Sequence, residues 1–553
     1  MRTFYYYFIF ISSLISISCE QEPSADLIIT GANIWTADKQ NPSANSLAIS
    51  NGKILAIGKE ETILKYLSSK SQKIDLAGKF LMPAFIDSHV HLMTGGRSLL
   101  SVDLRDADSP EEFSKRVGDF AESIPEGQWI LEGNWDHTLW GGELPHRDWI
   151  DARTPNTPVL LFRLDWHMAL ANTAALKFAG LDKHTKEVAG GSIGRDKDGE
   201  LTGILKDNAM NLVMDKIPPM SEEEKDIAFD AAMAYFLSNG VASVHDVDAL
   251  FEDFESYATA QKFQESGKLN LRIYAATPLK DWESLQAGKL QKDEWIKSGS
   301  LKGFVDGSLG SHTAAFHEAY TDKADDKGFF INSEEELYEW ISGADKANLH
   351  VMVHAIGDKA NHVLLNIFEQ VARENGTKDR RFRIEHAQHI ALEDIQRFRE
   401  LGVIASMQPY HAIDDGRWAE TYIGPERIKT TYAFQSLLQS GARLTFGSDW
   451  AVAPASPLKG IHAALLRQTL DGANPDGWVV EQKISLEAAL KAYTIDAAFA
   501  SFEEDIKGSL EVGKLADFVV LSEDLFQIDP GKIKDVQVLQ TYVGGKKVFE
   551  LTD

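Results

Sequence analysis

Residues 85–91 read Phe85-Ile86-Asp87-Ser88-His89-Val90-His91, an apolar stretch that ends in a His-x-His pair. Because alternate side chains of a β-strand share a face, His89 and His91 are predicted to point the same way, with Val90 packed behind them. Two neutral imidazoles on one side of a strand end can hold a divalent metal. Paired histidines also occur as ordinary surface residues, so the interpretation depends on the rest of the chain.

Strand-like segments recur through the middle of the chain and alternate with helical patterns. One helical pattern begins at Ser333, where Glu336 completes a capping box. Eight strands with helical crossovers predict an α/β fold, a (β/α)8 or TIM barrel. The eight strand candidates are residues 81–88, 241–246, 270–276, 301–306, 349–354, 382–386, 403–407 and 443–448.

Short β-strands separated by turn signals, such as Asn51-Gly52, occupy both ends of the chain. They predict one small β-sandwich domain built from both termini, from residues 26–80 and 505–553, around a barrel at residues 81–504. The gap after the first barrel strand is too long for a single crossover. It predicts a large insertion at about residues 92–235, at the catalytic mouth of the barrel.

The first eighteen residues differ from the rest, because Arg2 precedes an apolar and aromatic run from Phe4 to Ser18. The run is short for a membrane span and predicts a signal peptide at residues 1–18, followed by a linker at 19–25. Cys19 follows the run as in a bacterial lipoprotein signal, so we expect an exported cell-envelope protein that is lipid-anchored at Cys19. A plain signal peptide, and hence a periplasmic protein, is the alternative. With one cysteine the chain forms no internal disulfide.

The composition is that of an ordinary globular protein, with 44% hydrophobic and 25% charged residues among 553. The formal net charge is −27. Binding to a phosphate backbone demands clustered Lys and Arg, so this charge argues against nucleic acid as a partner. The expected partner is a small-molecule substrate, with membrane contact only through the anchor at Cys19.

Residues with metal-binding chemistry stand at the ends of five predicted barrel strands. Catalytic residues of such barrels sit where strands end at the C-terminal face. A single histidine at a strand end is usually a packing residue, but six such residues at five strand ends indicate a common site. They are His89 and His91 in strand 1, Lys302 in strand 4, His354 in strand 5, His386 in strand 6 and Asp449 in strand 8.

The motifs around these strand ends resemble those of the amidohydrolase superfamily, in its amidohydrolase-3 branch, which includes N-substituted formamide deformylases. The resemblance covers nearly the whole chain after the signal. Ala84 and Trp166 stand where glycine is common, and Trp166 is expected to reshape the pocket. The matching motifs are Leu81-Met82-Pro83 through His91, Asp306-Gly307-Ser308-Leu309-Gly310-Ser311, His354-Ala355-Ile356-Gly357-Asp358, Glu385-His386-Ala387, Gly447-Ser448-Asp449 and residues 508–517, with Gly133-Asn134-Trp135-Asp136 and Arg163-Leu164-Asp165-Trp166-His167 typical of the branch.

The resemblance implies a metal-dependent hydrolase that cleaves a carbon–nitrogen bond other than a peptide, in an amide or N-formyl group. It implies that His89 and His91 hold one divalent metal, and His354 and His386 a second. Carbamylated Lys302 would bridge the two; an unmodified Lys302 in a barrel-core salt bridge, with a single metal, is the alternative. Asp449 would be both a ligand and the catalytic acid–base group. Imidazoles with a carboxylate favour zinc.

Five further residues are weaker candidates for contact with the substrate, namely Trp135, His167, His245, Asp306 and His312. His245 could also orient a metal ligand, and for it simple packing is an equal alternative. For Trp135 and His167, a Trp-rich insertion is more often just a compact core. The same hydroxide could attack an ester or a lactone, and the ligand set does not separate these reactions. A non-catalytic envelope binding protein that kept the fold is the rival hypothesis from another class.

Overall fold

The computed structural model describes residues 24–125, 127–248, 255–287 and 290–552. The predicted signal peptide and Cys19 lie outside these ranges. At its centre, eight parallel strands pair in the order in which they occur along the chain, which confirms the predicted barrel. Barrel strands 1 to 8 are Phe85–Val90, Val241–Asp246, Arg272–Pro278, Ile296–Phe304, His350–Ala355, Arg383–His386, Ile404–Met407 and Arg443–Phe446.

Barrel strands 1 and 8 meet through the residues that follow strand 8. The amide of Asp449 donates to the carbonyl of His89 at 2.8 Å, and the amide of His91 donates to the carbonyl of Trp450 at 2.6 Å. Every residue of strand 1 is buried, as expected for a parallel strand covered on both faces. The closure therefore brings the two strand ends that carry His89, His91 and Asp449 side by side.

The predicted first strand, residues 81–88, is in fact two strands that belong to different sheets. Phe80–Pro83 pairs with Phe518–Leu521 near the C-terminus, and barrel strand 1 begins only at Phe85. Between them, the amide of Ala84 donates to the carbonyl of Asp517 at 3.1 Å. An uninterrupted apolar run does not reveal such a change of partner, because both strands are buried.

Helices cover the outside of the barrel. Capping boxes begin two of the long crossover helices, with Ser221 paired to Glu224 and Ser333 to Glu336, the second as predicted. Within the described ranges, no helix combines the length and apolar character needed to cross a membrane. The α-helices are Glu60–Ile63, Leu92–Ser98, Pro110–Ser123, Asp148–Asp151, Thr173–Ala179, Asn211–Met214, Glu222–Ser238, Glu255–Glu265, Trp282–Ala287, Glu334–Lys346, Asp358–Glu374, Ile395–Leu401, Pro409–Asp415, Ala419–Arg427, Phe434–Ser440, Pro457–Leu466, Leu486–Ala492 and Ile495–Ala500.

Two sheets built from both ends of the chain form the predicted β-sandwich. They share an apolar core that includes Leu27 and Ile49 from the N-terminal part and Phe518 and Val520 from the C-terminal part. The strands of the four-stranded sheet, in spatial order, are Lys53–Gly58, Ser46–Ser50, Leu27–Thr30 and Gln72–Asp75; those of the six-stranded sheet are Lys546–Glu550, Val538–Val543, Phe518–Leu521, Phe80–Pro83, Asn33–Trp35 and Ser43–Ala44.

A five-stranded sheet lies between barrel strands 1 and 2 in the chain, within the predicted insertion; below, "the insertion" means residues 92–207. One face has its own core around Phe113 and Trp135, whereas Phe162 and Trp166 pack with the main barrel core. The insertion can therefore place side chains at the barrel mouth. In spatial order its strands are Gly191–Arg195, Leu201–Asp207, Met168–Ala171, Val159–Arg163 and Ile130–Trp135.

Candidate metal centre

The six residues predicted to form the metal site converge at the C-terminal end of the barrel. Ligand atoms of His89, His386 and Asp449 lie within 4.8 Å of one another, and all three residues are buried. The Nε2 atoms of His89 and His91 lie 3.4 and 3.2 Å from Asp449 Oδ1. Lys302 Nζ lies 3.2 Å from His89 Nε2, and the ring of His354 is 4.5 Å from that of His386, centroid to centroid.

Local backbone geometry turns two of these side chains into the site. His386 has φ +71° and Asp449 has φ +59°, both in the left-handed region that non-glycine residues seldom adopt. Such conformations cost free energy, and persist where the surrounding structure holds them. Barrel strands 6 and 8 thus end in strained turns that present a histidine and an aspartate.

A buried carboxylate and guanidinium orient His89. Its Nδ1–H donates to Glu385 Oε2 at 2.5 Å, which leaves Nε2 facing Asp449 and Lys302. Glu385 in turn accepts from Arg383 Nε at 2.8 Å and Arg383 Nη2 at 3.1 Å, and neither side chain of this ion pair is exposed. Fixing one ring nitrogen in this way selects the tautomer whose other nitrogen can ligate a metal.

The other two histidines are fixed by acceptors of their own. The Nδ1–H of His386 donates to Gln408 Oε1 at 2.9 Å, and the Nε2–H of His354 donates to the carbonyl of Gly307 at 3.0 Å. His386 therefore presents Nε2 and His354 presents Nδ1. Burial lowers the pKa of both side chains well below the usual range, so both are neutral, as metal ligands must be.

The remaining groups of the site are charged or carry shifted pKa values. Burial lowers the pKa of Lys302 to about 8. Burial opposes ionisation of Asp449, but the imidazoles of His89 and His91 outweigh it and hold the Asp449 pKa below its usual range. For His91, burial is outweighed by the neighbouring carboxylates of Asp248 and Asp449, which raise its pKa to about 9. A proton on His91 thus balances two buried carboxylates, and a divalent cation would take over that role.

The donor set fits a divalent metal ion. Asp449 Oδ1 is buried and has no hydrogen-bond partner among the described residues. An unpaired buried carboxylate oxygen is costly unless a cation or proton satisfies it. Neutral imidazoles with a carboxylate are the ligands that zinc and related divalent metals take in proteins.

A cavity of about 270 Å³ opens directly on these residues. Its wall includes candidate ligands, apolar side chains such as Met210 and Trp340, and the charged Arg163 and Asp165. His411, which follows barrel strand 7, also lines the cavity, with Nε2 4.0 Å from Asp449 Oδ2. The cavity can therefore hold a small molecule with both polar and apolar parts against the metal centre.

His167 reaches this cavity from the insertion. Its Nδ1 lies 2.6 Å from Asp207 Oδ1, and its ring is 5.1 Å from that of His354, centroid to centroid. Burial acts to lower the pKa of His167, but the Asp207 carboxylate overcomes this effect and the pKa is raised. Of the five weaker sequence candidates, His167 is the one that lines the cavity.

Trp135 and His245, two of the residues predicted to contact substrate, do not line this cavity. Trp135 is fully buried in the core of the insertion, and its Nε1–H donates to the carbonyl of Leu161 at 2.7 Å. His245 is buried inside the barrel, where its Nδ1 accepts from Arg383 Nη1 at 2.9 Å. Trp135 is thus a packing residue, whereas His245 contacts the Arg383–Glu385 pair that orients His89.

Asp306 and His312, also predicted to contact substrate, lie outside the wall of this cavity. Asp306 accepts from the amides of Ala315, Ile356 and Gly357 at 2.8–2.9 Å and so ties the loop after strand 4 to the end of strand 5. His312 Nε2 lies 2.9 Å from Asp322 Oδ2, with its ring against two tyrosines.

Comparisons with known proteins agree with this geometry. Residues 72–549 match the amidohydrolase family. The chain is 42% identical over 537 residues to protein LONG AFTER FAR-RED 3 of Arabidopsis thaliana (95% of this chain, 92% of that protein). It is 28% identical over 547 residues to N-substituted formamide deformylase of Arthrobacter pascens (95% and 99%). A crystal structure of an uncharacterized metal-dependent hydrolase from Pyrococcus horikoshii OT3 superposes with a TM-score of 0.75 at 29% identity, covering 91% of this chain and 99% of that one.

The chain therefore belongs to the amidohydrolase family, as its motifs predicted. Its barrel, the converging ligands and the relatives together define a metal-dependent hydrolase of that superfamily.

Proposed function

We propose that the protein hydrolyses a carbon–nitrogen bond other than a peptide bond, in an amide or N-formyl group of a small molecule. The observation that carries the proposal is the buried Asp449 Oδ1, which lies 3.4 and 3.2 Å from the Nε2 atoms of His89 and His91 without a well-formed hydrogen bond, at the wall of a cavity. The similarity to an N-substituted formamide deformylase supports this bond type, at 28% identity.

Five side chains would hold the metal ion or ions: His89, His91, His354, His386 and Asp449. When bound, a divalent ion, for which we propose zinc, supplies a water of lowered pKa and polarises the substrate carbonyl. Glu385 and Gln408 keep His89 and His386 in the required tautomers, so the protein itself prepares the site for the ion.

Lys302 would complete the site as a carbamate. An ammonium cannot ligate a cation, but burial lowers the pKa of this amine to about 8, so a fraction is neutral near neutral pH. The neutral amine attacks the carbon of carbon dioxide and releases one proton, which yields an anionic carbamate. In the unmodified state, Lys302 Nζ hydrogen-bonds His89 Nε2 and occupies the lone pair that a metal needs. With the carbamate we expect two metals per chain, and without it one.

Asp449 is the proposed proton carrier. Its carboxylate accepts the proton that the attacking water releases and passes it to the nitrogen as the carbon–nitrogen bond breaks. The leaving amine then departs with its electron pair and this proton. His167 faces the same cavity, and we propose that it contacts the substrate while Asp207 fixes its ring.

Metal content and paired substrates test the proposal. Chains from residue 20 onward, purified without chelator, are analysed by plasma mass spectrometry and assayed on an N-formyl amine, its N-acetyl counterpart and the matched esters. We expect one or two metals and turnover of amides, lost in Asp449→Asn. Turnover of the esters alone would favour the ester or lactone hydrolase, and ligand binding without turnover the binding protein. A chain that stays without metal after zinc or manganese is supplied would overturn the proposal.

We further propose that the protein is exported and lipid-anchored at Cys19, on the strength of the apolar run that precedes this residue. Metabolic labelling with a radioactive fatty acid, in a bacterium that expresses the full-length chain, tests this. Label should appear in the wild-type chain and disappear in Cys19→Ser. A labelled Cys19→Ser chain, or an unlabelled wild-type chain in the periplasmic fraction, would contradict the anchor.

A further inference from the structure

Trp166 occupies a backbone position that favours glycine. Its φ is +62°, in the left-handed region where a Cβ is strained. Its Nε1–H donates to Asn134 Oδ1 at 3.0 Å, and Asn134 itself has φ +56°. A bulky side chain thus occupies a position with a strained backbone, and the neighbour that binds it also has a positive φ. This indicates that the indole has a specific function.

The indole lies nearly parallel to two other rings. Its plane is within 6° of that of Phe162, with the ring centroids 4.9 Å apart. Its plane is within 3° of the His91 imidazole, with the centroids 6.4 Å apart. Trp166 is 8% exposed, and it lines the cavity as do His91 and Phe162. The indole therefore takes up space immediately beside a candidate metal ligand.

We infer that Trp166 determines substrate specificity by limiting the size of the substituent that lies beside His91. The inference rests on the proposed function, because it concerns the groups attached to the reacting carbonyl. Other side chains, such as Met214 and Trp418, also line the cavity, and we propose that this part accepts the larger portion of the substrate. The substrate class is therefore an amide with one small substituent on the side of His91.

Replacing Trp166 with glycine should relieve the strain at φ +62° and open this space. One methylene in a closely fitting apolar pocket changes kcat/KM by roughly 10–200-fold. Accordingly, Trp166→Gly should raise the kcat/KM ratio of the longest to the shortest member of a homologous series by at least about tenfold. The metal content should stay at the wild-type value, since Trp166 donates no ligand atom.

The experiment uses two series of anilides, one with formyl, acetyl and butanoyl groups on a fixed amine and one with lengthening amines on a fixed formyl group. Trp166→Gly is compared with the wild type and with Trp340→Ala, which enlarges the same cavity from the helix Glu334–Lys346. We expect a gain for long members of one series in Trp166→Gly and no comparable gain in Trp340→Ala. Equal ratios in the wild type and Trp166→Gly, for both series, would overturn the inference.

A binding readout separates this inference from the proposed function. Formate, acetate and butanoate are titrated into the zinc-loaded proteins by calorimetry, which requires no turnover. If the acyl side of the substrate faces His91, butanoate should gain affinity relative to formate in Trp166→Gly. If the amine side faces His91, the longer amines should gain affinity relative to the shorter amines. If the wild type is inactive but the affinity shift is seen, the proposed amide hydrolysis is refuted and the role of Trp166 stands. If the wild type is active but neither affinity shift is seen, the role of Trp166 is refuted. Trp166→Phe, which keeps a flat apolar ring, replaces the glycine variant if the latter fails to fold, with an intermediate shift expected.

Discussion

Glu385 contributes to both the stability of the barrel and its affinity for metal, and replacing it with glutamine should reduce both. Three donors point at its two oxygens: His89 Nδ1–H, Arg383 Nε–H and Arg383 Nη2–H. A glutamine has one acceptor oxygen, so at least one donor would face an NH2 group. The buried Arg383 would also lose its counter-charge, since both side chains are fully buried.

Breaking a buried ion pair from one side costs about 3–5 kcal/mol of unfolding free energy. Removing the partner of a metal-ligating histidine lowers metal affinity by about 10–100-fold. We therefore expect Glu385→Gln to lower the denaturation midpoint and to weaken zinc binding in a chelator competition by one to two orders of magnitude. The double variant Arg383→Met, Glu385→Gln should regain stability, because no charge is stranded, but not zinc affinity.

Asp517→Asn is the matched control. Asp517 accepts from Arg272 Nε at 2.7 Å and Nη2 at 2.9 Å in another largely buried pair, away from the metal centre. This variant should lose a comparable amount of stability and keep its zinc affinity. If Glu385→Gln and Asp517→Asn lose equal stability and both bind zinc like the wild type, Glu385 has only a structural role and the reasoning is wrong.

Three further outcomes follow from the structure. Asp207→Asn should lower kcat/KM by about tenfold or more while zinc content stays constant, because the ring of His167 loses the carboxylate that holds it at 2.6 Å; unchanged kinetics would contradict the contact. Gly447→Ala should weaken zinc binding measurably, because its Cβ would lie 2.6 Å from the His89 amide nitrogen. Burial raises the pKa of Glu132 to about 7, so its contribution to stability is present at low pH and is lost as pH rises through 7; the melting temperature of Glu132→Gln should change less between pH 5 and 8 than that of the wild type.

Residues that follow from a local pattern could be predicted from the sequence. The barrel strands are short apolar runs between turn signals, and a chemically distinct residue at a strand end, such as His354 or Asp449, stands out against them. The capping box at Ser333 is equally local. These features are determined mostly by residues that are close in sequence, so a single sequence is enough to predict them.

Residues whose role depends on a distant partner could not be assigned. Asp207 and His167 are 40 positions apart, and their pairing depends on the register of the inserted sheet. Trp135 and His167 occupy similar motifs, yet one faces the core of the insertion and the other the cavity. A usable signal existed for Arg383 and Glu385, since two alternating charges in a buried strand must be paired with each other or with a functional group.

The change of sheet at Ala84 affects the order in which the chain can fold during synthesis. The strand just before barrel strand 1, Phe80–Pro83, pairs with Phe518–Leu521, which are synthesised long after it. Until they emerge, Phe80–Pro83 lacks one neighbour, and the start of barrel strand 1 lacks the Asp517 carbonyl that Ala84 binds. Asp449 also reaches the ribosome exit long after His89. The proposed metal site can therefore assemble only late in synthesis or after it, once the chain segments that carry His89 and Asp449 can pair.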